Sequence, residues 1–159
     1  MSLKNSLTMM VVDDMTISRW LVEQSLDEIG IKNVIFENDG AVALKKLAAS
    51  PVHLVLSDYN MPGMDGLEAT KILTQKVPET AVLIFTAYSE RALLSRSLES
   101  GARGYILKEA PHETLLRAIE KVANGDGFVS LNDVYEFVAP RLKAGCRVFI
   151  MGFPGAGQV

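Results

Sequence analysis

The 159-residue sequence is poor in several features, and each absence narrows the classes of protein that it can encode. Its single cysteine, Cys146, rules out a disulfide framework, so we expect a reducing, cytoplasmic location. No apolar run approaches the roughly 20 residues that span a bilayer, so we expect no membrane association. The 16 lysines and arginines are outnumbered by 19 aspartates and glutamates, giving a formal net charge of −3. Without a broad basic surface, this chain alone is not expected to bind DNA.

Two kinds of segment alternate along the first 125 residues. Short runs rich in apolar and β-branched residues predict strands at 8–12, 33–36, 53–57, 81–86 and 104–107. Between them, segments with apolar residues three or four positions apart predict helices at 18–29, 41–49, 67–76, 90–98 and 111–123. Gly30, Gly101 and Gly125 follow these helical patterns, where a left-handed residue commonly ends a helix.

Continuous apolar strands that alternate with helices are typical of a parallel sheet covered on both faces. Five strands are too few for a (βα)₈ barrel. The pattern therefore predicts an α/β fold of the (βα)₅ type. Its sheet is expected to be doubly wound, parallel and five-stranded, with the flavodoxin-like order 2-1-3-4-5.

Polar residues end four of the five predicted strands. Asp13 and Asp14 follow the first strand, Asp58 the third, Thr86 the fourth and Lys108 the fifth. In a parallel sheet these ends lie along one edge, and strands one and three are neighbours where the winding reverses, which is where ligands bind. We therefore expect three carboxylates, a hydroxyl and an ammonium to meet in one crevice.

The chemistry of this set indicates a metal and a phosphoryl group. Carboxylates about 4 Å apart repel one another by roughly 4 kcal/mol per pair at an effective dielectric of about 20, and a divalent cation removes that cost. Hard oxygen ligands without histidine or cysteine favour Mg²⁺. A hydroxyl and an ammonium suit a phosphoryl group. Asp58, between the acid pair and the Thr86/Lys108 pair, is the best candidate for a nucleophile that forms an aspartyl phosphate.

This ordered set resembles the receiver domain of two-component response regulators. The resemblance runs from about residue 7 to residue 123 and includes the stretch DYNMPGMDG that begins at Asp58. It implies that Asp58 accepts the phosphoryl group from a histidine kinase or a phosphotransfer protein. It also implies that Asp14 binds Mg²⁺ directly, Asp13 mainly through water and Asn60 through its backbone carbonyl.

The resemblance extends to the residues that would read the phosphoryl group. Lys108 would pair with it, Thr86 would hydrogen-bond it and Ala87 would lie beside it. Tyr105 resembles the aromatic residue that turns inward when Thr86 moves, so that the surface of the fourth helix, fifth strand and fifth helix switches. Asn60 and Tyr88 are expected to control access of water to the acyl phosphate. Such a protein is not an enzyme but a phosphoacceptor that assists its own phosphorylation and dephosphorylation.

Glu109 follows Lys108 where many receivers have proline, and the segment SGARGYILKEAPHETLLRAI resembles receivers of LuxR-type transcription regulators. The resemblance implies a receiver domain at 1–125. Residues 126–159 would be a C-terminal extension, a linker, or the stub of an absent effector domain. We expect control of transcription through a DNA-binding domain that this chain lacks, with homodimerisation on phosphorylation as one option. The alternative is a stand-alone receiver that acts by protein–protein contact.

Two other classes of protein fit the pattern less well. A phosphatase with an aspartyl nucleophile typically carries it after the first strand with a second acid two residues on, whereas the acids here are adjacent. A nucleotide or flavin binder is disfavoured because no glycine-rich loop follows the first strand. The C-terminal GFPGAGQV resembles the start of a phosphate-binding loop, but Gln158 replaces the lysine. A terminal strand or a disordered end is the simpler expectation there.

Overall fold

The structure is a computed structural model that describes residues 7–28, 30–59, 66–130 and 148–150. Strands and helices alternate as the sequence predicts. The strands are β1 (Thr8–Val12), β2 (Asn33–Glu37), β3 (Leu54–Asp58), β4 (Ala81–Thr86), β5 (Gly104–Leu107), β6 (Gly127–Val129) and β7 (Val148–Ile150). The helices are α1 (Thr16–Glu28), α2 (Gly40–Ala49), α3 (Gly66–Lys76), α4 (Arg91–Glu99) and α5 (His112–Ala123).

All strands are parallel and form one sheet in the order β2-β1-β3-β4-β5-β6-β7. The predicted order 2-1-3-4-5 and the flavodoxin-like fold are therefore confirmed. The sheet continues beyond β5 with two three-residue strands, and of these β6 was not predicted. A run of three residues is too short for hydrophobic periodicity to distinguish it from a loop.

The core lies on both faces of the sheet because side chains alternate along each strand. Met10, Val12 and Val55 face a buried cluster completed by α2, α3 and α4. The intervening Met9 and Val11 face a second cluster completed by α1 and α5. All five residues of β3 are buried, so this central strand carries Asp58 on a support packed from both sides.

Three predicted helix ends are confirmed in backbone geometry. Gly30, Gly101 and Gly125 have φ angles of 87°, 108° and 92°. At Gly101 space is also limiting, since an added Cβ would lie 2.3 Å from Oγ1 of Thr74. A side chain there would meet both a strained backbone and a neighbour on α3.

Strand β6 is held to β5 by both backbone and side-chain bonds. The Ser130 N–H donates to the Tyr105 carbonyl at 3.0 Å, and the Leu107 N–H donates to Ser130 Oγ at 3.1 Å. Phe128 is fully buried in the second cluster. Close packing at Gly104, where a Cβ would lie 2.8 Å from the Phe128 carbonyl oxygen, lets the two strands approach. The beginning of the predicted C-terminal extension thus pairs with the receiver sheet.

The rest of the extension is described only at Val148–Ile150, where a terminal strand was one of the two simpler expectations. Cys146, Gln158 and the segment that resembles a phosphate-binding loop lie outside the described residues. The assignment of 126–159 to a separate part of the chain stays a prediction.

In the described part of the chain, no helix has the length and apolar character needed to cross a membrane.

We predict that Ser130→Ala lowers the free energy of unfolding by about 1–3 kcal/mol, because it leaves the buried Leu107 N–H without its acceptor. Urea denaturation followed by circular dichroism measures this change. Ser50→Ala is the control, since Ser50 is exposed and caps α2 through its backbone N–H, and it should shift stability by less than about 0.5 kcal/mol. Equal effects of the two substitutions would contradict the role assigned to Ser130.

Candidate functional site

The carboxyl edge of the sheet gathers three aspartates. Asp13 and Asp14 follow β1, and Asp58 is the last residue of β3, the neighbour of β1. One carboxylate oxygen from each lies within 4.8 Å of the others. Asp13 and Asp58 are buried, whereas Asp14 is exposed. The sequence-based expectation that these acids converge is therefore met by the backbone topology.

Lys108 supplies the countercharge. Its Nζ lies 2.9 Å from Asp13 Oδ2 and 3.3 Å from Asp58 Oδ2, and only 18% of its side chain is exposed. Met15 Sδ is 3.9 Å from the same nitrogen, and the centroid of the Phe85 ring is 5.8 Å away. One ammonium therefore faces three carboxylates, so the cluster retains a net negative charge.

One oxygen of the buried Asp13 carboxylate has no hydrogen bond among the described residues. Its Oδ1 accepts from the Met15 N–H at 2.9 Å, and its carbonyl accepts from the Arg19 guanidinium at 2.7 Å. Its Oδ2 forms the ion pair with Lys108 but has no hydrogen bond among the described residues, because the ammonium is close without being aligned. A buried carboxylate oxygen in this state, beside two more carboxylates, fits a hard divalent cation such as Mg²⁺.

Asp58 is also fixed by the helix that follows it. The Gly66 N–H donates to the Tyr59 carbonyl at 2.8 Å, and α3 begins at Gly66. A Cβ on Gly66 would lie 2.3 Å from the Asp58 carbonyl oxygen. Sequence reasoning began this helix one residue later, at residue 67, and did not reveal the contact, which depends on how α3 packs against the end of β3.

Thr86 and Tyr105 both form a hydrogen bond with Tyr88. Thr86 ends β4 and is fully buried, and its Oγ1 accepts from the Tyr88 N–H at 3.2 Å. Tyr105 on β5 is also fully buried, and its hydroxyl donates to the Tyr88 carbonyl. Burial raises the pKa of Tyr105 above its usual range, and the nearby charges of Glu90 and then Tyr59 add to this. The phenol therefore remains a hydrogen-bond donor at physiological pH.

The structure thus brings together Asp13, Asp14, Asp58 and Lys108, with Thr86 at the end of the adjacent strand. Ala87 and Tyr88 are exposed in the loop after Thr86. Asn60, predicted to offer its carbonyl to the metal and to limit access of water, lies outside the described residues. Sequence reasoning did not assign Met15, Phe85 or Arg19 to the site, because nothing in their local pattern distinguishes them from packing residues.

The chain matches the response regulator receiver domain family over residues 9–120 and belongs to that family. It is 35% identical over 125 residues to the probable chemotaxis protein CheY of Rhizobium etli, covering 77% of this chain and 96% of that protein. It is 31% identical over 125 residues to the response regulator UvrY of Escherichia coli, covering 78% of this chain and 57% of that protein. The oxygen regulatory protein NreC of Staphylococcus haemolyticus is 39% identical over 94 residues, which cover 58% of this chain and 43% of that protein.

The chain therefore spans nearly the whole of one of these relatives and about half the length of the other two.

Solved structures agree with this family assignment. The receiver domain of the response regulator NarL from Mycobacterium tuberculosis superposes with a TM-score of 0.70 at 31% identity, covering 75% of this chain and 97% of that one. The isolated receiver domain of RcsB from Salmonella enterica, solved with the phosphomimetic BeF₃⁻, gives 0.71 at 25% identity, covering 86% and 99%. The predicted resemblance to receivers of LuxR-type regulators is confirmed.

We predict that Gly66→Ala destabilises the protein by about 1–3 kcal/mol, because its methyl group would overlap the Asp58 carbonyl oxygen and the backbone would have to shift. Thermal and urea unfolding measure the change. Glycine to alanine within a helix ordinarily stabilises by up to about 1 kcal/mol, so the sign of the effect is diagnostic. A gain in stability would show that α3 does not press on Asp58.

We predict that Asp14→Asn stabilises the protein by about 1 kcal/mol in the absence of divalent cations, because it removes one carboxylate from a cluster with excess negative charge. Chemical denaturation in a chelating buffer provides the measurement. Asp27→Asn is the matched control, since Asp27 is exposed and paired only with Lys32 in the described contacts, and its loss should not stabilise. A destabilised Asp14→Asn would show that the carboxylates are not in net repulsion.

Proposed function

We propose that the protein is a phosphorelay receiver in which Asp58 accepts a phosphoryl group from a phosphohistidine of a kinase or phosphotransfer protein. The supporting observation is that Asp58, at the buried end of β3, lies 3.3 Å from the Lys108 ammonium within a cluster of three carboxylates. A carboxylate poised beside a cation and open to a metal has the electrostatic setting that phosphoryl transfer requires. Family membership supports the phosphorelay role.

The transfer is a substitution at phosphorus. A carboxylate oxygen of Asp58 attacks the phosphorus atom, the P–N bond breaks, and the imidazole leaves with the electron pair. Lys108, already 3.3 Å from Asp58, would exchange part of its ion pair with Asp13 for the incoming phosphoryl oxygens. Attack of water on the same phosphorus atom later releases inorganic phosphate and restores Asp58.

Mg²⁺ is the proposed cofactor. Asp14, Asp13 and Asp58 would hold it together with the Asn60 carbonyl, and the buried Oδ2 of Asp13, which has no hydrogen bond among the described residues, supports the fit. When bound, the ion would offset the carboxylate charge and polarise the phosphoryl group. We propose that the protein acts as a phosphoacceptor that assists its own phosphorylation and dephosphorylation rather than as an enzyme.

The output begins at Thr86 and Tyr105. The added phosphoryl charge, about −1.5 to −2, would accept a hydrogen bond from the Thr86 hydroxyl, with Ala87 beside it, and so draw away the oxygen that now accepts from the Tyr88 N–H. The Tyr105 hydroxyl donates to the carbonyl of Tyr88, so this hydrogen bond would change when Thr86 moves. The change would then reach the surface formed by α4, β5 and α5.

Two outputs are compatible with the relatives. We propose control of transcription, through a DNA-binding domain outside this sequence and with dimerisation on phosphorylation. This proposal rests on solved relatives described as LuxR-family regulators, one of them as a DNA-binding response regulator from Staphylococcus aureus. The alternative, a stand-alone receiver that acts by protein contact, is favoured by the 96% coverage of the CheY relative.

We predict that acetyl phosphate with Mg²⁺ phosphorylates the wild type and Asp27→Asn, whereas Asp58→Asn shows no acyl phosphate, because Asp58, 3.3 Å from Lys108, is the proposed acceptor. Intact-mass spectrometry measures an added phosphoryl group, and its release by hydroxylamine identifies an acyl phosphate. Mg²⁺ should raise the unfolding temperature of the wild type and raise that of Asp14→Asn less. Modification of Asp58→Asn to the wild-type level would refute the assignment.

A further inference from the structure

Tyr59 and Tyr88 form an aromatic contact between the segment that follows β3 and the loop after β4. Tyr59 directly follows Asp58, and its half-buried ring packs against the core cluster on the α2–α4 face. Tyr88 lies in the loop after β4 and is 43% exposed. The ring centroids are 6.2 Å apart and the planes meet at 81°, an edge-to-face arrangement that is favourable for aromatic pairs.

The backbone of Tyr88 makes both bonds on which the switch depends. Its N–H donates to Thr86 Oγ1, and its carbonyl accepts from the Tyr105 hydroxyl. A displacement of this one residue therefore alters Thr86, which faces the phosphoryl site, and Tyr105, which is buried under the output surface. A contact that fixes the backbone of Tyr88 therefore also fixes its hydrogen bonds to Thr86 and Tyr105.

Tyr59 is well placed to fix it. Tyr88 is largely open to solvent, whereas Tyr59 is anchored in the core and belongs to the strand end that carries Asp58. The edge-to-face contact therefore ties the loop after β4 to the strand end that would receive the phosphoryl group.

We propose that Tyr59 is a positioning residue for Tyr88, and that their ring contact holds the Tyr88 backbone where it engages both Thr86 and Tyr105. We expect the same contact to keep Tyr88 where it limits access of water to the acyl phosphate. The effect of this ring contact on the lifetime of the acyl phosphate rests on the proposed function. Its effect on the position of the loop after β4 does not.

The first experiment uses the unphosphorylated protein, so it is independent of whether Asp58 accepts a phosphoryl group. Tyr59→Leu keeps an apolar side chain but removes the ring, and should shift the NMR signals of the Tyr88 and Thr86 amides and the Tyr105 ring. Tyr59→Phe should leave them near their wild-type positions. Phe36→Leu, a half-buried aromatic packed on the opposite face, is the matched control and should not move them.

Unchanged signals in Tyr59→Leu would overturn the proposal. Equal shifts in Phe36→Leu would also overturn it, because they would indicate a general loosening of the fold instead of positioning.

The second experiment measures decay of the acyl phosphate. Tyr59→Leu and Tyr88→Leu should each accelerate hydrolysis by about 2- to 10-fold, the range that corresponds to loss of one aromatic pair. The double variant should be no faster than the faster single variant, since both remove the same contact. Rates that multiply in the double variant would overturn the proposal. Absence of any acyl phosphate would instead refute the proposed function and leave the NMR result to decide.

Discussion

The structure depends on the concentration of negative charge at one edge of the sheet. Three aspartates with oxygens within 4.8 Å of one another would each repel the next by about 3 kcal/mol at an effective dielectric of about 20. A single ammonium, that of Lys108, contacts two of them. The fold must therefore hold these groups together against their repulsion, and the excess negative charge that remains favours the binding of a cation at this edge.

That repulsion is resisted by packing. Asp58 ends a strand that is buried along its full length, and α3 closes on its carbonyl so tightly that only glycine fits at position 66. The Arg19 guanidinium holds the Asp13 backbone from α1. The site consequently has little room to relax. Under the proposed function, this rigidity would allow a local change of charge to be transmitted through the loop after β4 to Tyr105.

Much of this was readable from the sequence. Alternating apolar runs predicted the first five strands and their order, and the three glycines with positive φ marked helix ends. The convergence of Asp13, Asp14, Asp58 and Lys108 followed because parallel strands end on a common edge. Strand β6 was not predicted because three residues are too few to show a hydrophobic periodicity. Its pairing also depends on the hydrogen bond that Ser130 forms with β5, which lies far away in the sequence. The contacts of Met15, Phe85 and Arg19 were equally invisible, since residue type alone does not fix side-chain direction.

By itself the sequence determined which chemical groups are present and on which edge of the sheet they lie, because strand order and the ends of the strands are encoded in local patterns. Tertiary structure alone decided the distances. It determined which aspartate oxygens Lys108 contacts and which oxygen of Asp13 lacks a hydrogen bond. It also determined that Tyr88 hydrogen-bonds Thr86 and Tyr105 while its ring contacts Tyr59. Apart from the local bond between Tyr88 and Thr86, these contacts join residues far apart in the chain, and their geometry is set by how the helices pack on the two faces of the sheet. Packing of that kind is a property of the whole chain, and no local pattern specifies it.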